Sequence, residues 1–260
     1  MVTHSEFLQL LGQSHLVQQD RLQQILQMPV NHSAALAEQL VKCGDLTQWQ
    51  ANQLLAGKNQ FFFGKYRLLD QLGHGGMGIV FKAREERGMR RVMALKVMDQ
   101  KLMEQPKSRQ RFLREVKVAA MLNHPHVVAA YDADQVGESY CLIMEYVEGQ
   151  DLGIWIKELG KLPTDWACEC VRQAALGLQH AHEQGLVHRD IKPSNLLVVC
   201  DNPQSIPQVK ILDMGVARFA TGGSSGEDQD DLTGTGEVLG SFDYVSPEQA
   251  ANAAAAACSA

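Results

Sequence analysis

The ten-residue string His188-Arg189-Asp190-Ile191-Lys192-Pro193-Ser194-Asn195-Leu196-Leu197 constrains this chain more than any other feature. It follows a long helical pattern over residues 164–184 and runs into the apolar strand signal Leu196–Val199. A charged loop is therefore held between two elements that both pack. The wider pattern agrees. From residue 66 to about 97, strand signals alternate with glycine turns; a helix is expected over 109–122, and strand signals return at 127–132 and 140–146. From Gly149 onward the chain is mostly helical, interrupted by short strands at 196–199 and 209–212. A strand-rich half followed by a helix-rich half implies an α+β chain with two lobes.

Residues 1–60 have a different texture. Leu8, Leu11 and Leu16, then Leu22, Ile25 and Leu26, fall at helical spacings, and Leu36, Leu40, Val41, Leu46, Trp49, Leu54 and Leu55 form a second run. The two runs align at an offset of 30 residues, with Leu10-Leu11 then Ser14-His15-Leu16 against Leu40-Val41 then Gly44-Asp45-Leu46. Each has the form of a helix end, a turn and a newly capped helix, with Asp45 or Thr47 as the second cap. Two functions fit this small helical segment: an extension packed on the rest of the chain, or a partner-binding module.

Gly73-His74-Gly75-Gly76-Met77-Gly78-Ile79-Val80 follows an apolar strand. Glycines allow backbone N–H groups to approach phosphate oxygens without a Cβ in the way. The spacing alone also fits dinucleotide-binding folds. Here Ile79-Val80-Phe81 continues as a strand instead of opening a helix, which sets that alternative aside. Lys96 then falls inside the apolar strand Val92–Met98, where an ammonium is costly without a counter-charge or phosphate. Its other reading is an edge lysine whose head reaches water. Glu115, at the border of the apolar face of the 109–122 helix, is a candidate counter-charge, and is equally placed to be a solvated helix residue beside Arg111 and Arg114. No G-x-x-x-x-G-K-[ST] string occurs, so a P-loop NTPase is excluded.

With the glycine string, Lys96 and the His188–Leu197 string in place, the chain resembles the eukaryotic-like Ser/Thr protein kinases of bacteria. The resemblance implies a two-lobe kinase fold: a small lobe over 66–148 and a large lobe over 149–260, preceded by the helical segment 1–60. It implies that Asp190 orients the substrate hydroxyl and accepts its proton, and that Lys192, a mark of the Ser/Thr branch, contacts the transferring phosphate. Asn195 and Asp213, the latter in Lys210-Ile211-Leu212-Asp213-Met214-Gly215, would hold Mg²⁺, with Mn²⁺ as a substitute. Gly73, Gly75 and Gly78 would cover the phosphates of ATP, and Lys96, oriented by Glu115, would reach them. Val80, Ala94 and Leu197 would sandwich adenine, Met144 would be the gatekeeper, and backbone groups of Glu145 and Val147 would bond the base. Met214 stands where the family usually has Phe, and Ser246-Pro247-Glu248 replaces the usual Ala-Pro-Glu.

The same resemblance implies Ser/Thr phosphotransfer to protein substrates, regulated by autophosphorylation at Thr233 and Thr235, with Arg189 available to pair with a phosphothreonine. It covers residues 66–249 and then fails, the chain ending in an alanine-rich tail where the family has further large-lobe helices. The alternative function is thus a catalytically weak nucleotide-binding or partner-binding module. Composition narrows the rest. A net charge of -6 and pI near 5.8 argue against a nucleic-acid partner. No stretch is long and apolar enough to span a membrane, the N-terminus lacks the pattern of a secretory signal, and six scattered cysteines fit a reducing cytoplasm. Cys141 and Cys200 sit in apolar runs that read as buried, and Cys168-x-Cys170 reads as helix packing.

Overall fold

Thr3 opens the first helix by accepting a hydrogen bond from the Glu6 backbone N–H, while the Glu6 carboxylate accepts from the Thr3 N–H. Such a reciprocal cap satisfies two backbone donors that a helix start otherwise leaves open. The computed structural model describes residues 2–75, 78–188, 190–200 and 206–212, together with Tyr244 and Pro247. The chain divides into two units, Met1–Val97 and Met98–Ala260.

In the first unit four helices, α1 (His4–Ser14), α2 (Gln19–Leu26), α3 (Ser33–Lys42) and α4 (Gln48–Leu55), precede strands β1 (Phe62–Phe63), β2 (Tyr66–Gly75), β3 (Gly78–Glu85) and β4 (Val92–Met98). Both runs of the sequence repeat are helix pairs, α1–α2 and α3–α4. Their core is Phe7, Leu11, Leu16, Ile25, Leu36, Ala37, Leu40, Leu46, Ala51, Leu54 and Phe61. The periodicity located most of these. Leu26 is an exception at 49% exposure, and Phe61, beyond the last helix, is buried with the helices. Of the two candidate caps, Thr47 is the one that caps α4, in a reciprocal box with Gln50. Asp45 instead receives Arg21 in a two-pronged pair, Nη2 to Oδ2 at 2.7 Å and Nε to Oδ1 at 3.1 Å. The four strands follow one another in the sheet in sequence order.

In the second unit, α5 (Gln100–Glu104) and α6 (Pro106–Ala119) precede the antiparallel hairpin of β5 (Ala130–Val136) and β6 (Ser139–Glu145). The observed α6 begins and ends three residues before the 109–122 expected from periodicity, with Pro106 at its first turn, where a missing N–H is harmless. Phe112 of α6 is fully buried and meets Tyr140 of β6 edge to face at 6.3 Å. Then come β7 (Gln150–Asp151), α7 (Leu152–Leu159), α8 (Thr164–Glu183), β8 (Leu196–Val199) and β9 (Gln208–Ile211), with β7, β8 and β9 forming an antiparallel sheet. Leu122, Val127, Cys170, Ala174, Ala181, Leu196, Val198, Val209 and Ile211 belong to one core. Of the cysteines read as buried, Cys141 is fully so and Cys200 half so; Cys170 packs inside while Cys168 faces out.

Helix α8 approaches β9 closely at two places. The amide of Gln173, itself buried, accepts from the Val209 N–H at 2.7 Å and donates to the Pro207 carbonyl at 2.8 Å. At Gly177 a Cβ would stand 2.9 Å from both the His126 carbonyl and Ile211 Cδ1. Alanine in a helix is favoured over glycine by about 1 kcal/mol. The backbone carbonyl cannot yield as a flexible side chain could, so overlap outweighs that gain. Gly177→Ala is therefore expected to destabilise the protein by about 1–3 kcal/mol, the usual range for overpacking, read from its urea unfolding midpoint.

Candidate active site

The loop between α8 and β8 is built around one imidazole. His188 is 2% exposed. Its Nδ1 accepts from the Asp190 backbone N–H at 3.3 Å, which leaves the ring proton on Nε2, and Nε2 lies 2.8 Å from the Leu212 carbonyl. The backbone N–H of Leu212 in turn donates to the Asn195 carbonyl at 2.9 Å. Loop and strand end are thus tied together at both polar groups of Leu212.

Within this frame three predicted residues meet. Asn195, at the end of a single 3-10 turn (Pro193–Asn195), donates Nδ2 to the Asp190 carbonyl at 2.7 Å and to Asp190 Oδ2 at 3.1 Å. Lys192 Nζ lies 2.9 Å from the same Oδ2. Both donors converge on one oxygen of a half-buried carboxylate. Since only an amide nitrogen can donate to the Asp190 carbonyl, the Asn195 side chain is oriented with Oδ1 as its remaining polar atom. A carboxamide oxygen beside a carboxylate is a donor type that suits a hard cation such as Mg²⁺, so the described part of the expected donor set, Asn195, is of a kind that fits. Asp213 and the two phosphorylation candidates, Thr233 and Thr235, lie outside the described residues.

The other candidates occupy the positions expected by element. Met144 is buried in β6, Glu145 ends that strand, and Val147 follows it, half-buried. Leu197 is half-buried in β8, where it pairs with Lys210. Glu115 is half-buried on α6. In the first unit, Lys96 lies in β4 at 6% exposure, so it is no edge lysine reaching water, and Ala94 two residues earlier is also buried. Gly73 and Gly75 end β2, while Gly78 opens β3 at a φ of 138°, a conformation strained for any side-chain-bearing residue. Gly75 pairs with Gly78, and Gly73 with Val80, across the hairpin; Gly76 and Met77 are outside the described residues.

A residue that sequence inspection missed is Lys210. Its Nζ lies 2.9 Å from Glu145 Oε2, and the same oxygen accepts from the Ala129 N–H at 3.3 Å. This joins the end of β6 to the strand that leads towards Asp213. The one signal was a lysine between Val209 and Ile211 in an alternating strand, and alternation names no partner 65 residues away.

A protein kinase domain model matches residues 66–257. The chain belongs to the protein kinase family. The match starts at the residue where the sequence resemblance begins and runs past 249, where that resemblance was expected to stop. Among relatives, the serine/threonine-protein kinase PknB of Mycobacterium leprae is 38% identical over 190 residues, covering 72% of this chain and 29% of that protein. The serine/threonine-protein kinase PknA of Mycobacterium tuberculosis is 38% identical over 192 residues, covering 72% of this chain and 42% of its own length. The chain thus spans less than half the length of either relative. A crystal structure of the Mycobacterium tuberculosis PknI kinase domain superposes with a TM-score of 0.53 at 28% identity, over 62% of this chain and 66% of that one. The kinase fold and the bacterial Ser/Thr kinase kinship anticipated from the motifs both hold. No described helix is long and apolar enough to cross a membrane.

One titratable cluster bears on the frame of the site. His124 stacks on His180 of α8 at 5.2 Å and is tilted against His126 at 5.4 Å. Its Nδ1 accepts from the His126 N–H, and His126 Nδ1 bonds the Val209 carbonyl at 3.0 Å. Burial first, then the two neighbouring imidazoles, lower the His124 pKa from the ordinary 6.5. A lowered histidine pKa in the folded state means that the unfolded chain binds more protons below 6.5. This contribution to stability is whole above that value and is lost as pH falls towards the folded pKa. Urea midpoints measured from pH 8 to 5 are expected to drop below about pH 6.5, where the reference histidine titrates, and His124→Gln is expected to flatten that slope.

Proposed function

We propose that this chain transfers the γ-phosphate of ATP to serine and threonine hydroxyls of protein substrates. The observation that carries the reading is the convergence of Lys192 and Asn195 on Asp190, in a chain that belongs to the protein kinase family. The substrate hydroxyl gives its proton to the Asp190 carboxylate as its oxygen bonds to the γ-phosphorus, and the bond from that phosphorus to the β–γ bridging oxygen breaks, leaving ADP. Lys192, beside the carboxylate, places positive charge where the transferring phosphoryl group carries its negative charge. Asn195 and Asp213 are the residues that would hold Mg²⁺, which supplies charge neutralisation at the phosphates when bound. Lys96, oriented by Glu115, would bind the α- and β-phosphates, and the Gly73–Gly78 hairpin would cover them. Adenine would lie between Val80, Ala94 and Leu197, bonded by backbone groups of Glu145 and Val147 beside Met144.

In this scheme Asp190→Asn removes the proton acceptor while keeping the shape of the loop. It is expected to lower phosphorylation of a generic basic protein by about 10²- to 10⁴-fold, the usual worth of a general base. Stabilisation by Mg-ATP in a thermal-shift assay should persist. Turnover unaffected by the substitution would refute the assignment of Asp190.

Regulation by autophosphorylation at Thr233 and Thr235 belongs to the same proposal. Each phosphothreonine would add close to two negative charges, which Arg189 could receive. Phosphopeptide mapping after incubation with Mg-ATP is expected to find both threonines modified in the parent chain and neither in Asp190→Asn; finding both unmodified in active protein would overturn it.

A further inference from the structure

The helical segment touches the glycine hairpin at a specific defect. The β2–β3 ladder loses register twice, between Leu68 and Asp70 and again between Gln71 and Gly73; at the first break, the one α4 reaches, Leu69 has no partner across the ladder. A bulge of this kind bends its strand and increases the local twist. The two carbonyls at the bend, those of Leu68 and Leu69, are both taken by α4. Gln50 Nε2 donates to the Leu68 carbonyl at 2.6 Å, and Thr47 Oγ1 donates to the Leu69 carbonyl at 2.6 Å.

These donors are the same two residues that cap α4. Thr47 Oγ1 accepts from the Gln50 N–H at 3.2 Å, and Gln50 Oε1 accepts from the Thr47 N–H at 3.0 Å. A hydroxyl can accept and donate at once, and an amide can do both through different atoms, so each side chain serves the helix and the strand together. Gln50 is fully buried and makes both of these bonds away from water. Two further contacts reach the hairpin from this segment: Arg67 Nη2 bonds the Asp45 carbonyl at 3.3 Å, and Trp49 stands edge-on to Phe81 of β3 at 5.8 Å. Phe81 pairs with Gln71, so both strands of the hairpin are gripped just before the glycines.

We propose that Thr47 and Gln50 are positioning residues for the phosphate loop. By holding the bulge at Leu69, the cap of α4 sets the direction in which β2 and β3 carry Gly73, Gly75 and Gly78, and so sets nucleotide affinity. This rests on the assignment of that hairpin to the phosphates of ATP. Without the two donors, the bend can relax by a shift of register, which in a strand turns every side chain beyond it to the opposite face.

The test separates capping from gripping. An ionised aspartate caps a helix well, yet has no proton for the Leu69 carbonyl. Hydrogen exchange and Mg-ATP affinity are measured on the full chain and on Thr47→Asp, Thr47→Ser and Gln50→Met. Thr47→Asp is expected to leave α4 protected as in the parent, to speed exchange of amides in 70–75 and 78–82 by about tenfold, and to weaken Mg-ATP binding by about 5- to 10-fold, the lower part of the usual range for coupled sites. Gln50→Met should do the same in the hairpin, and Thr47→Ser should restore parent behaviour. Unchanged hairpin exchange in both Thr47→Asp and Gln50→Met, or faster exchange spread evenly over α1–α4, would overturn the proposal. Faster hairpin exchange at unaltered affinity would overturn its nucleotide half. A parent chain that binds no Mg-ATP would instead refute the assignment of the hairpin to phosphate, with the exchange pattern still deciding whether the cap holds the bulge.

Discussion

The backbone of Leu212 makes two hydrogen bonds on which the geometry of the second unit's loop depends. Its N–H is bound by the Asn195 carbonyl and its carbonyl by the buried His188 ring. His188 also receives the Asp190 N–H, so a single side chain joins the residue that carries the carboxylate to the residue that precedes Asp213. Breaking such a bond away from water leaves an unsatisfied group at a cost of about 1–3 kcal/mol, more than a typical bond contributes net. A loop path that broke these bonds without replacing them would strand a polar group at that cost. Asn195 then closes the loop onto itself through Asp190, and Lys192 adds its charge to the same carboxylate oxygen.

Strand β9 is supported from three further sides. Gln173 satisfies the Val209 N–H from α8, His126 satisfies the Val209 carbonyl, and Lys210 reaches Glu145 at the end of β6. Val209 and Ile211, both fully buried, give this four-residue strand its apolar hold on the core. Its polar groups supply the remainder, and each comes from a different element, so displacement of β9 would unsatisfy several partners at once. In the first unit the bend in β2 is held in the same manner. Carbonyls at an irregular stretch of backbone are taken by side chains whose own positions are set by helix capping.

Much of this was legible in the sequence because it depends on short-range pattern. Periodicity locates α8 and β8 to within a residue or so, and the glycine and His188–Leu197 strings carry the family resemblance by themselves. Lys96 read correctly as a costly charge in an apolar strand. What the pattern missed has one property in common. Gln50, Gln173 and Lys210, and Thr47 beyond its expected role as a cap, are polar residues whose partners lie 18, 36, 65 and 22 positions away. Polar residues carry no periodic signal when their role is to satisfy a distant polar group, backbone or side chain. Leu26 fails from the opposite direction, since its helical spacing predicts burial and only the packing of α2 shows that it faces out.

The sequence by itself therefore determined the class of fold, the order of elements and the chemistry available in the loop, because spacing and residue type act over a few positions of chain. Tertiary structure alone decided which oxygen of Asp190 its neighbours share, which of two candidates caps α4, and that the helical segment and the bend in β2 form one hydrogen-bonded assembly. Those outcomes depend on where unpaired backbone groups come to lie once the chain is packed, and local sequence does not encode that.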